Sequence, residues 1–491
     1  LESLIPPNRD CVGAGCDRLA LCEECDLLQR NPPLPPRGAS RCVRCGYRLH
    51  RHRPASLDRT LALALTGMIL FVVANSFPFL SFEMQGQRTE TTLFTGVADL
   101  AEQGKPVVAA VVFFTAILAP GLQLLLLLIV LTPLKLGGRL PPGYPTLFRW
   151  FKTMLPWGMM DVFLIGILVS VVKLSEMATI VPGTSLFAFV ALIFVLAAAH
   201  SALDPDIVWE RVPLPARLRR TPRRGEPVLG CDVCELVVPE QEAERERAGR
   251  GRQLRLRCPR CRDVLHRRKP RSLQRTWALV LAALVFYVPA NVYPVMTVTS
   301  LGQTQSDTIF SGVVFLLEHG MLPLAAILFI ASIFVPLLKL LILIFLLLSV
   351  QLRSDWRPRD RTRLYRITEA IGRWSMVDVY VVTILVALVH LGNLASIQAE
   401  AGAVFFCAVV ILTMFAAMAF DPRLIWDSLR QAGCWGEGWG EGRGEQLGEQ
   451  RADERADDRP DNRGGSPTQS PERSQTPKRG ALPSEAPANA V

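Results

Sequence analysis

Residues 42–78 read CVRCGYRLHRHRPASLDRTLALALTGMILFVVANSFP, and residues 258–294 read CPRCRDVLHRRKPRSLQRTWALVLAALVFYVPANVYP. Each stretch runs from two cysteines spaced C-x-x-C, through a basic segment, into an apolar run that ends on Asn-x-x-Pro. The two align without a gap at an offset of about 216 residues, and the register persists along the chain. Thr92-Leu-Phe-Thr-Gly96-Val answers Thr308-Ile-Phe-Ser-Gly312-Val, and Trp157-Gly-Met-Met-Asp161-Val answers Trp374-Ser-Met-Val-Asp378-Val. Asp204-Pro205 with Trp209 answers Asp421-Pro422 with Trp426. Self-similarity at a fixed offset means a duplicated unit.

Working outward, half of the 491 residues are hydrophobic and mean hydropathy is +0.27, which is too apolar for an ordinary soluble multi-domain chain. About 20 apolar residues cross a hydrocarbon layer of about 30 Å. Runs such as Val107–Leu131 and Leu322–Val350 contain no acidic residue and at most one basic one. Four spans are expected per unit, near 60–80, 107–135, 157–174 and 185–203, then 276–298, 322–350, 374–391 and 402–420. The expected fold is therefore mainly α: a polytopic helical membrane protein of two tandem four-helix bundles, each preceded by a small β zinc ribbon. The expected division is a flexible leader at 1–20, ribbon 1 at 21–57, bundle 1 at 58–205 and a linker at 206–226. Ribbon 2 follows at 227–272, bundle 2 at 273–428 and a disordered tail at 429–491, which lacks the aliphatic residues to build a core.

The formal charge of +10 invites a nucleic-acid reading, but Lys and Arg concentrate in 1–58, 136–156, 204–275, 351–373 and 421–491, between the apolar runs. The positive-inside bias accounts for that pattern and places both termini and both cysteine clusters in the cytoplasm. No nucleic-acid partner is expected. An even number of spans per unit makes the repeats parallel. Residues 1–56 are polar and rich in proline and cysteine, unlike a signal peptide, and the chain opens on Leu1.

Eight of the twelve cysteines form two sets of paired C-x-x-C: Cys22, Cys25, Cys42 and Cys45, then Cys231, Cys234, Cys258 and Cys261. Two such turns brought together offer four thiolates to a tetrahedral ion, so two Zn²⁺ are expected, one per ribbon; iron suits the same sulfur set. Disulfides are the competing reading, disfavoured by the reducing compartment that the topology implies. A closed four-sulfur site has no open position, so its expected role is structural. His50, His52 and His266 read as surface residues, Cys11 and Cys16 as spare thiols, and Cys407 as a packing residue.

Charges inside a span cost a few kcal/mol and are functional candidates by default. Lys339, Asp378 and Thr413 fall at a similar depth of bundle 2 by residue counting. The matching residues of bundle 1 are Gln123, Asp161 and Leu196, so the cation and the hydroxyl are missing there. The expected transport network is Lys339, Asp378 and Thr413, with Gln123, Asp161, Asn291 and His390 as secondary candidates. A stabilising pair or a snorkelling side chain is the plainer alternative, and so is a simple helix end for Asn75…Pro78 and Asn291…Pro294. The chain contains no G-x-x-x-x-G-K-[ST], H-E-x-x-H or G-x-S-x-G, so no catalytic residue and no enzyme activity are expected.

Taken together, the duplicated C-x-x-C…C-x-x-C, the His-Arg-x-Arg-Pro before the first span, Asn-x-x-Pro at its end, Phe-[TS]-Gly-Val and Met-x-Asp-Val resemble the paraquat-inducible protein A family, including its LetA-like branch. The resemblance covers about residues 20–428 in two copies. It implies a multi-pass protein of the bacterial inner membrane whose partner carries MCE domains and forms a tunnel across the periplasm. The implied function is to move or load phospholipid between the inner membrane and that tunnel, toward the outer membrane. A second expectation, from a different class, is a non-transporting membrane scaffold or sensor whose zinc ribbons recruit partners.

Overall fold

The computed structural model describes residues 18–431, apart from 32–34, 36–37, 85–86, 138–142, 175–178, 213, 215–221, 223–225, 250–255, 301–302, 319 and 389–394. Nearly all of the expected leader, with Cys11 and Cys16, lies outside the described residues. So do His390, half of the expected linker and the tail beyond residue 431.

The chain is mainly helical and is built from two copies of one plan. Among the described residues, eight helices are long and apolar enough to cross a membrane. We number them spans 1–4 (Ser56–Ser76, Pro106–Leu136, Tyr144–Val172, Thr184–Ala202) and spans 5–8 (Ser272–Val292, Ala325–Gln351, Pro358–Ala387, Ala401–Leu429). Each bundle follows a small four-cysteine β unit. Leu65, Ile69 and Val72 of span 1, Phe187 and Phe194 of span 4, and Leu281, Val285 and Val288 of span 5 are exposed. Apolar faces of this kind suit lipid rather than water.

Two features depart from the expected spans. Spans 3 and 7 start earlier than residues 157 and 374, because an amphipathic helix precedes each. Helices Tyr144–Met154 and Pro358–Ile371 end in 3₁₀ turns at Leu155–Trp157 and Gly372–Met376. Tyr144, Phe148 and Phe151, at i, i+4 and i+7, form one buried stripe, and Arg361, Tyr365 and Thr368 repeat it. Their charged outer faces made these segments read as loops. Second, the connections opposite the ribbons are not plain loops. Leu80–Met84 pairs with Gln87–Thr91 and with Thr179–Pro182 in an antiparallel sheet. Met296–Ser300 pairs likewise with Gln303–Asp307 and Ala395–Ala399. These strands are only four or five residues long, too short for their alternation to stand out in the sequence.

Spans 2 and 6 each contain a π-helical stretch, Phe113–Leu118 and Ile330–Phe334. Pro120 and Pro336 follow, each the second residue of the next helix. Proline has no N–H to complete an i→i−4 bond, and a wider turn accommodates the loss. Such π-turns recur at functional sites. Gln123 and Lys339 lie three residues beyond each proline.

The bundles meet along spans 3 and 7. Over its most apolar 18 residues span 7 is 81% buried, against 22% for the same length of spans 1 and 5, which makes span 7 the central helix. A Cβ on Gly166 would stand 2.9 Å from Tyr380 Cβ, and one on Gly96 would stand 3.0 Å from Ala387 Cβ. Small residues let helix backbones approach closely. The Tyr380 hydroxyl donates to Thr115 Oγ1 at 2.8 Å, and Ser170 Oγ donates to Gly166 O at 2.8 Å. Toward the strands, Gln103 acts as an extra strand edge: its Oε1 accepts from Ala399 N–H at 3.0 Å and its Nε2 donates to Ile397 O at 3.3 Å. Gly166→Leu is expected to overpack this seam and destabilise the chain by about 1–3 kcal/mol. Thermal unfolding in detergent checks this; an unchanged midpoint would show that the bundles do not rely on close packing there.

Candidate functional site

In ribbon 1, strands Arg18–Leu21 and Leu28–Asn31 present Cys22 and Cys25 from one turn, and Ala39–Arg41 and Arg48–Arg51 present Cys42 and Cys45 from another. Ribbon 2 presents Cys231 and Cys234 between Val228–Gly230 and Val237–Pro239. It presents Cys258 and Cys261 beside a bridge between Arg257 and Val264. The turns require left-handed backbone after each second cysteine: Asp26, Gly46, Glu235 and Arg262 all have φ between 57° and 72°. Gly46 adopts this freely, and Arg262 does so at a cost.

All eight sulfurs are buried, and each set of four lies within 4.8 Å of one another. Cys22–Cys45 and Cys25–Cys42 sulfurs are 3.5 and 3.4 Å apart. Cys231–Cys261 and Cys234–Cys258 are 3.3 and 3.5 Å apart. Zn–S bonds of about 2.3 Å in tetrahedral geometry put sulfurs roughly 3.8 Å apart, so both sets fit a metal ion, and none is at disulfide distance.

The ribbons are crossed. Ribbon 1 seats on bundle 2: Arg366 pairs with Glu24, and the Arg44 guanidinium lies 4.4 Å over Trp426; Arg268, at the base of ribbon 2, links Asp26 at 2.9 Å to Asp427 at 2.6 Å. Ribbon 2 seats on bundle 1: Lys152 donates to Val233 O at 2.5 Å and pairs with Glu235 at 3.5 Å. Arg149 pairs with Asp263 at 3.6 Å. Its sulfurs share an apolar cluster with Phe148, Phe151 and Trp209. The ribbons also touch each other, where a Cβ on Gly230 would stand 2.8 Å from Leu21. Beside that contact, burial and the nearby Glu235 push the Glu23 carboxyl up to about 8, against the pull of Lys152.

Within bundle 2, Lys339 and Thr413 come together. Both are buried, and Lys339 Nζ donates to Thr413 Oγ1 at 3.0 Å. Thr413 donates its own O–H to Val410 O at 2.9 Å, which leaves its lone pairs for the ammonium. Gly372 makes room: a Cβ there would lie 3.3 Å from Lys339 Nζ. Asp378 is the second residue of helix Val377–Leu388, just past the 3₁₀ turn; its side chain lies outside what is described. In bundle 1, Gln123 Nε2 donates to Met154 O at 2.6 Å, and Gly158 packs on the amide. The position that is an ammonium in one bundle is a neutral brace to the broken span in the other. Asp161 is exposed. Asn291 Nδ2 donates to Tyr287 O of its own helix at 2.8 Å, as Asn75 does to Phe71 O.

Sequence reasoning passed over three groups. Ser332, in the second π-turn, and Ser375, in the 3₁₀ turn of span 7, are buried with no hydrogen-bond partner among the described residues. The mid-span Pro120 and Pro336 were the available signal for the π-turns. The third group is His50, Asp204 and Asp206, whose ligand-type atoms lie within 4.8 Å of one another. His50 Nδ1 stands 3.4 Å from Asp206, and Asp204 caps helix Pro205–Glu210.

The family model described as Paraquat-inducible protein A matches residues 57–213 and 273–430, one match per bundle. Escherichia coli "Intermembrane transport protein PqiA" is 33% identical over 413 residues, covering 83% of this chain and 95% of that protein. "Lipophilic envelope-spanning tunnel protein A" of the same organism is 33% identical over 408 residues, covering 83% and 91%. A "Probable intermembrane transport protein" of Haemophilus influenzae is 28% identical over 410 residues, covering 83% and 96%. No solved structure matches the chain.

Proposed function

The chain belongs to the paraquat-inducible protein A family, and from that premise we propose that it is the inner-membrane component of a lipid transport system. It loads phospholipid into, or receives it from, a periplasm-spanning tunnel built by a partner with MCE domains. The names of its relatives support the transport class. The observation that carries the site assignment is the buried Lys339–Thr413 pair of bundle 2 beside the break in span 7, with no counterpart in bundle 1. An ammonium held away from water attracts a phosphate more strongly than one at the surface. Asp378 follows the same break in the chain, and in this reading it takes up a proton or balances the ammonium when no lipid is present.

In this reading both termini and both ribbons are cytoplasmic, and the chain is a transporter rather than an enzyme. Cys22, Cys25, Cys42 and Cys45 hold one Zn²⁺, and Cys231, Cys234, Cys258 and Cys261 hold the other. When bound, the ion neutralises the thiolates and fixes the ribbon fold.

Purification in mild detergent, with mass spectrometry of lipid, metal and protein, tests the assignment. The expected result is bound phospholipid, two zinc ions per chain and an MCE-domain partner. Asp378→Asn is expected to reduce phospholipid transfer between partner-containing vesicles at least tenfold, whereas Asp161→Asn leaves it within about twofold. Equal transfer by both variants would sink the site assignment. A chain that binds partners through its ribbons but never lipid would point to a scaffold instead.

A further inference from the structure

At the ribbon end of bundle 2, where span 5 begins and helix Ala401–Ala419 of span 8 ends, there is a concavity of about 850 Å³. Its lining includes His266, Lys269, Arg271 and Arg275, with Met418 and Ala419 as apolar wall, and contains no acidic residue. We propose that this concavity binds a phosphate group, carried by the headgroup of an anionic phospholipid or by a soluble phosphate compound. The inference is independent of the transport reading, because it concerns a different place in the fold and a different set of side chains.

The repeat provides an internal control. The aligned positions of bundle 1 are His50, Arg53, Ala55 and Arg59. There, charge is balanced: Asp58, in the first turn of span 1, pairs with Lys135 at 2.5 Å, and Asp206 faces His50 at 3.4 Å. Bundle 2 has Gln274 where bundle 1 has Asp58, and Arg423 where it has Asp206, and it gains Arg271 in place of Ala55. Asp421, the counterpart of Asp204, is already engaged and lies outside the lining. Its oxygens accept from Lys269 N–H at 2.9 Å and from Arg423 Nε at 3.0 Å.

The Asp58–Lys135 pair is replaced as a whole by Gln274 and Gln351, and Arg423 is met by Asp421 and by Asp232 at 3.7 Å, so what sets the concavity of bundle 2 apart is Arg271 in place of Ala55. The cations also crowd the start of a helix, where the backbone dipole disfavours positive charge. Lys269 Nζ caps helix Ala401–Ala419 of span 8 through Met418 O and Phe420 O at 2.8 and 3.1 Å, which holds it at the rim. Arg271 and Arg275 are exposed and have no carboxylate partner among the described residues. Guanidinium groups bind phosphate through paired N–H donors. Apolar walls beside them suit a molecule that brings a hydrocarbon tail.

The test uses the full chain in detergent, titrated separately with dioctanoyl phosphatidylglycerol, dioctanoyl phosphatidylcholine and sodium phosphate, and read by thermal unfolding and native mass spectrometry. Phosphatidylglycerol is expected to bind and to raise the unfolding midpoint, and the double variant R271Q/R275Q to weaken that binding tenfold or more. Arg59→Gln in bundle 1 is expected to leave it unchanged. If sodium phosphate binds with the same loss in the double variant, the occupant is a soluble phosphate; if it does not, the occupant is a lipid headgroup. Equal binding of the two lipids, or unchanged binding by R271Q/R275Q with its fold intact by circular dichroism, overturns the proposal.

Discussion

Lys339→Met is expected to lose phospholipid transfer while unfolding at a higher temperature than the parent chain. The two effects have opposite signs because of one fact, the burial of an ammonium whose described hydrogen bond is to the Thr413 hydroxyl. A charge in the middle of a span costs about 2.5–3.5 kcal/mol, and methionine fills a similar volume without it. Stability should therefore rise by up to about 3 kcal/mol, less whatever Asp378 returns to the ammonium. A hydrogen bond from a charged donor to an anionic lipid would contribute about 1.5–3 kcal/mol, equivalent to roughly 10- to 150-fold in transfer. The measurements are thermal unfolding of the purified chain and fluorescent phospholipid transfer between vesicles. If Lys339→Met unfolds more easily and transfers normally, the ammonium is a structural brace, as Gln123 is in bundle 1.

Loss of a ribbon's metal site is expected to loosen the bundle of the other repeat. Structural Zn²⁺ contributes about 10–16 kcal/mol to the folding of a small ribbon, so Cys22→Ser should unfold ribbon 1 outright and leave one ion per chain. Its seat is on bundle 2, where Arg366 and Trp426 hold Glu24 and Arg44. Hydrogen exchange is therefore expected to quicken in 358–371 and to stay slow in 144–154. Cys258→Ser should do the reverse, through Lys152, Glu235 and Arg149. Quickened exchange in the bundle of the same repeat would contradict the crossing.

Much of this architecture can be read from residues alone, because the deciding signals are local. Cys42-x-x-Cys45 and Cys258-x-x-Cys261 announce sulfur sites by spacing, and the apolar runs after them announce spans by length. Lys339 and Thr413 were legible for a similar reason: a polar group in hydrocarbon is conspicuous, and counting residues from a span end gives its depth. The crossing was not legible. Both amphipathic helices offer a similar stripe and both ribbons a similar surface, so the local pattern fits either pairing. The choice rests on single charges: Lys152 meets Glu235 of ribbon 2, and the aligned residue of bundle 2 is Glu369, which would repel it. The π-turns escaped as well, because a proline in an apolar run signals a disturbance but not its form. The three-stranded sheets escaped because each is completed by a strand nearly 90 residues away.

The crossed ribbons bear on how such a chain could arise and how it can be divided. A protein cut between its repeats would yield, from either half, a ribbon without the amphipathic helix it seats on and an amphipathic helix without its ribbon. Two identical one-repeat chains could make the same contacts only by trading ribbons across a two-fold axis. Fusion would turn that exchange between molecules into an embrace within one, and would end the need for the halves to be alike. One half could then keep an amide where the other placed an ammonium.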